Sequence, residues 1–238
     1  MRMFVRAAVA VAAMALLAAC AGKPAIPYDK SSAGEIRTIG LLTPSMPGGP
    51  TVHLSGTVGQ SFGLVGALID AGMESSRDSD FSDVLARHQF HAEELLIADV
   101  KQSLEKQGYK VVDVPVTRQR RFDFIETYPE ASEADAYLDL VVLTYGYIAG
   151  AISDVPYRPL FESKLRMVRA SDSSVLMEDK IQYASMGLRI PEGYVKIAPD
   201  PKYSFDDFDE LTSRQETAVE GLNVAFERSA DAMGTLLR

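Results

Sequence analysis

The chain has 238 residues, 47% of them hydrophobic, with 24 lysines and arginines against 33 aspartates and glutamates and a formal charge of −9. That acidity argues against a nucleic-acid partner, because neutralising phosphates needs a basic face. The apolar fraction suits a folded chain rather than a disordered one, at a length that fits one domain with a sizeable core.

The amino terminus reads as a targeting segment. Arg2 and Arg6 form a short positive region, and the apolar run from Val5 to Ala19 carries no charge beyond Arg6. Its uncharged core falls short of the roughly 20 residues needed to span a bilayer as a helix, so residues 1–19 read as a signal peptide. The run closes on Leu17-Ala18-Ala19-Cys20, which resembles the bacterial lipobox. The resemblance implies cleavage before Cys20 and three acyl chains at the new terminus, palmitate among them, enough methylene groups for stable membrane attachment. A plain secretory peptide is the alternative. Cys20 is the only cysteine, so the chain has neither a disulfide framework nor a spare thiol for catalysis. Ala21 rather than an aspartate follows it; in lipoproteins of this type that implies passage to the outer membrane, here on its periplasmic face. Cleavage removes two basic residues, Arg2 and Arg6, and no acid, leaving a more acidic mature chain.

Residues 20–34, with Pro24, Pro27, Lys23 and Asp29, read as a lipidated tether, and residues 35–238 as a single α/β domain. Residues 35–42 alternate toward a first strand. Residues 51–76 read as a Gly-rich helical insertion, in which Gly59 and Gly63 share a helix face that allows close backbone approach. Packing within the domain, pairing with a second subunit and dipping into the membrane surface all remain open for it. Residues 81–107 carry Leu85, Ala92, Leu95, Leu96, Val100 and Leu104 at helical spacing, with Asp80 placed to cap and Gly108 to stop the helix. Residues 109–114 read as a strand and residues 117–133 as a loop holding Arg118, Arg120 and Arg121. Residues 136–149 are nearly continuous in apolar and β-branched residues, as a central strand would be. Residues 159–169 and 174–185 predict a hairpin turning at Ala170-Ser171-Asp172-Ser173. Residues 186–211 read as a loop. Ser213 and Glu216 form a capping box for a last helix striped by Val219, Leu222, Phe226, Ala230, Met233 and Leu237.

Residues Ala134 to Leu140, then Thr144-Tyr145-Gly146, then the hairpin from Leu165 to Leu176 resemble a pattern shared by small bacterial envelope lipoproteins. That group includes the curli-secretion lipoprotein, activator lipoproteins of penicillin-binding proteins, exopolysaccharide-export lipoproteins and the amino-terminal domain of TolB. The resemblance implies an α+β fold, a mostly antiparallel sheet packed by helices, used for binding or assembly, and it brings no catalytic residues. The Gly-rich insertion and the long segment before Ser213 depart from the group's simplest members.

Chemistry-bearing motifs are sparse. His88-x-x-His91 with Glu94 has a spacing that could place a metal on one helix face, yet no His-Glu-x-x-His run and no second ligand helix accompany it. Gly-x-Gly-x-x-Gly is absent. No metal or cofactor is therefore expected, and no catalytic residue. Tyr203, Phe205 and Phe208, set among acids, are the candidate partner-binding aromatics if that loop is exposed; folding onto the core is the competing reading. Arg118, Arg120 and Arg121 could meet an anionic partner, or pair with acids such as Glu126 and Glu130. These features favour a non-enzymatic outer-membrane lipoprotein, held by lipid on Cys20, that binds or assembles with an envelope protein or with itself. The alternatives are a ring-forming subunit of a secretion or export channel, with Gly56 to Gly72 at the subunit contact, and a metal-dependent hydrolase using His88 and His91.

Overall fold

A computed structural model describes residues 24–55, 63–130, 133–150, 155–184 and 193–238. Its elements in chain order are α1 (Lys30–Ala33), β1 (Thr38–Leu42), β2 (Thr51–Ser55), α2 (Gly63–Arg87), α3 (Ala92–Lys106), β3 (Lys110–Val114), β4 (Ala136–Gly150), β5 (Val155–Arg169), β6 (Val175–Tyr183), β7 (Val195–Ile197), a 3-10 turn (Pro201–Tyr203), α4 (Phe208–Ser213) and α5 (Gln215–Thr235). The fold is α+β. One sheet runs in the order β3-β1-β4-β5-β6-β7, with β2 also paired to β4. The long ladders, β4 with β5 and β5 with β6, are antiparallel, while the short strands at the flanks pair parallel.

Strand β4 is central because both of its faces are apolar. Leu138, Leu140, Val142, Tyr145 and Tyr147 join the core shared with the helices, whereas Tyr137 packs with Leu42 and Val168 on the opposite face. A bulge between Val142 and Thr144 restores the inward phase after a three-residue step. The hairpin forms as expected: Val168 pairs with Val175, Met167 with Met177 and Phe161 with Tyr183.

Residues 51–55, expected to be helical, are instead strand β2. Val52 is buried and the segment lies parallel to β4 from Gly146 onward. Strands β1 and β2 thus follow one side of β4, with Ser45 bridging to Val141 between them. Gly146 makes this approach possible. Its φ is +143°, and a Cβ there would lie 2.0 Å from the Thr51 carbonyl oxygen. The expected Gly59–Gly63 contact, like Cys20, falls outside the described residues.

The helix expected over residues 81–107 is two helices. Asp80 lies inside α2 rather than capping, and the break at residues 88–91 places Gln89 at φ 52°. The break turns Phe90 inward, where it meets Phe226 edge to face at 5.6 Å and Tyr145 at 6.4 Å. After it, α3 buries Leu96, Val100 and Leu104. Helix α5 buries Leu222, Phe226, Ala230 and Met233 along the expected stripe. At Gly234 it comes so close to α3 that a Cβ would sit 2.2 Å from the Ser103 Oγ. The expected capping box is not formed. Arg214 stands at the N-cap without a side-chain bond, and the Ser213 hydroxyl donates to the Glu210 carbonyl at 3.1 Å. Asp207 instead caps α4, its Oδ1 accepting from the Glu210 N–H at 2.7 Å. The segment read as a loop over residues 186–211 also supplies β7, the 3-10 turn and the start of α4.

Candidate binding surfaces

The helices cover one face of the sheet, and residues 116–134 cover part of the other. What holds that loop is a charge in an apolar strand. Asp139 is fully buried on β4 and receives the Arg118 Nη2 at 2.7 Å, the Ile125 N–H at 2.9 Å and the Tyr128 hydroxyl at 3.3 Å. Arg118, its side chain 9% exposed, also donates to the Thr43 carbonyl at 2.8 Å. Burial and the Asp139 carboxylate push the Tyr128 hydroxyl up to about 12. The three arginines are therefore not one anionic-partner surface: Arg118 is structural, Arg120 lies 3.9 Å from Asp123, and the Arg121 carbonyl accepts the Ser45 hydroxyl. Asp139 gave the signal for this pair, as the one acid inside Leu138-Asp139-Leu140-Val141, but nothing in the spacing names Arg118 as its partner.

Beyond the loop the sheet face stays open as a groove of about 790 Å³ between Phe124 and Tyr194. Phe124 lies over the Arg166 guanidinium at 4.2 Å and the Lys164 ammonium at 4.9 Å, and Tyr194 under Lys180 at 5.3 Å. Arg166 pairs with Glu178 at 2.7 Å, and the Tyr194 hydroxyl donates to Glu162 at 2.7 Å, which together with burial raises its pKa. Arg166 and Glu178 are matched across the strands while Lys164 faces Lys180, and the aromatics are held by these cations. Such a surface suits contact with another surface.

A second groove, about 670 Å³, sits at the far end of β4 and β5. Leu54, Ala149 and Tyr157 line it, Phe208 stands beside it under Arg77 at 5.9 Å, and Asp206, Asp207 and Asp209 rim it. This is where the aromatic and acidic segment comes to rest, and it divides the three candidates. Tyr203 and Phe205 are buried, 4% and 0% exposed, so they are core residues and not exposed anchors. Phe205 exchanges backbone hydrogen bonds with Tyr157 at 2.7 and 3.0 Å and packs on Tyr147 at 5.5 Å. Phe208 alone stays half-buried in the groove wall. The Asp206 N–H and the Arg214 guanidinium hold the Glu210 carboxyl below its ordinary range, which fixes the rim of the groove.

The histidines do not meet. His88 and His91 are exposed on either side of the helix break, so the shared helix face that a metal reading needs is not there. His53 lies on β2, 2.5 Å from Glu74. Among the described residues no group of three His, Cys, Asp or Glu side chains is placed to hold a metal ion, and no helix is long and apolar enough to cross a membrane.

The class these features define is an α+β domain with one helix-covered sheet face and one largely open face. No family model matches the chain, and no curated protein does. Among solved structures it is similar to the crystal structure of protein XCC0632 from Xanthomonas campestris, of the family DUF330. The TM-score is 0.43 and the identity 12%, over 90% of this chain and 89% of that one, a likeness of fold alone.

Proposed function

We propose that the chain is a lipid-anchored protein of the bacterial envelope, cleaved before Cys20, whose α+β domain is a non-enzymatic binding or assembly accessory at the periplasmic face of the outer membrane. The observation that carries this reading is Leu17-Ala18-Ala19-Cys20 closing a charge-free apolar run, with no other cysteine in the chain. The strand-and-hairpin pattern shared with the curli-secretion and TolB-like group supports an assembly role. So do the two open grooves, which set aromatic side chains such as Phe208 and Phe124 among charged ones. Lipid at Cys20 confines the domain, which raises its effective concentration for a partner in the same membrane. Fractionation of cells making the wild-type chain or Cys20→Ser tests this. The wild type is expected in the outer-membrane fraction and the variant in soluble periplasm; equal distribution of the two contradicts the proposal.

A further inference from the structure

The segment expected to be a free tether is largely docked. Ile26 exchanges two backbone hydrogen bonds with Glu178 at the outer edge of β6, at 2.7 and 2.9 Å. It occupies the same sheet row that β7 continues at Ile181 to Tyr183. Beyond it Tyr28 packs against the core shared with the helices. Asp29 caps α1, accepting from the Ser31 N–H at 2.9 Å, and the Arg169 Nη1 donates to the Ala33 carbonyl at 2.5 Å. Residues 26–34 are thus a strap across one end of the sheet. Ile26 is six residues after Cys20, so the chain between them reaches at most about 20 Å when fully extended.

Resting on the lipidation proposed above, we infer that the row formed by residue 26 and β7 faces the lipid headgroups, while the β3 edge points away from the membrane. From that row to β3 the sheet takes five inter-strand steps, about 24 Å at roughly 4.8 Å each. From Asp139, level with Glu178 through Arg166, to Gly150 is eleven residues along β4, about 36 Å. Both distances exceed that reach. Standing the domain on its β3 edge, or upright on the β4–β5 end, would tear Ile26 from Glu178. The anchor therefore leaves the exposed Lys196 of β7 beside the lipid phosphates.

Energy transfer tests the inference. The lipidated full chain, with a single cysteine introduced by Lys196→Cys or Lys110→Cys, is labelled with a donor and reconstituted in vesicles of phosphatidylethanolamine and phosphatidylglycerol bearing a headgroup acceptor. Transfer from position 196 is expected to exceed that from position 110 by about threefold or more, given a separation of about 24 Å. Equal transfer from both, or stronger transfer from 110, overturns the orientation. Adding Ile26→Pro removes one donor of the bridge and lengthens that connection, so the contrast between 196 and 110 is expected to shrink; an unchanged contrast also overturns it. Protein that carries no acyl mass and does not float with the vesicles overturns the anchoring itself, and the orientation with it.

Discussion

At the scale of single residues, the Arg118–Asp139 pair is the contact on which the second face of the sheet depends. Its net worth against an apolar pair is small, because two charges lose their water, but removing one member strands the other in the interior. Arg118→Ala is therefore expected to cost about 3–5 kcal/mol in urea unfolding and to free residues 116–134 to rapid proteolysis. Wild-type stability in that variant would show that the pair is a passenger. The opposite sign is expected at Ser163 and Ser229, whose buried hydroxyls have no hydrogen-bond partner among the described residues. Replacing either by alanine removes an unsatisfied polar group at almost no cost in volume, so stability should be unchanged or rise by up to about 1 kcal/mol. A loss of more than that would reveal a partner for the hydroxyl. At Gly146 any side chain meets the Thr51 carbonyl. Gly146→Ala should thus detach β2, which exchange protection at Val52 would report.

At the scale of elements, α3 and α5 meet through small residues and through charge. Asp99 on α3 has a buried, unpartnered Oδ2, and burial, then Glu227 and Asp231, raise its carboxyl to about 6 from 3.8, against the opposing pull of Lys106. The folded chain keeps a proton on Asp99 that the unfolded chain sheds between those two values, so this residue's contribution to stability falls as pH rises through that window. Asp99→Asn is expected to raise Tm at pH 7.5, by about 2–4 °C for each kcal/mol recovered, and to leave it nearly unchanged at pH 4. Equal effects at both pH values would contradict the assignment. Phe226 holds α5 to the sheet and to the helix break, packed against Tyr145, Phe161 and Phe90. Elements were legible in the sequence where one period ran unbroken between turn signals, as in β4, the β5–β6 hairpin and α5. The break at residues 88–91 was not, because no glycine or proline marks it and the apolar spacing on its two sides fits one helix as well as two. Strand β2 was hidden by the glycines that follow it, and β7 is too short to show a period.

At the scale of the whole molecule, the fold class followed from the order of strong elements, whereas the placement of surfaces did not. Tyr203 and Phe205 sit among acids in sequence and yet turn inward, since burial of a loop aromatic is decided by what lies beneath it, here Tyr147 on β4 and Gly221 on α5. The docked strap was equally invisible: Ile26 reads as tether until the free edge of β6 is known. The proposed function and the proposed orientation both rest on lipid at Cys20. The most direct measurement is the intact mass of the protein extracted from membranes. A chain beginning at Cys20 and heavier than residues 20–238 by three acyl groups and a glycerol is the predicted result; a mass equal to the full 238 residues, or to a cleaved chain with an unmodified thiol, would contradict it.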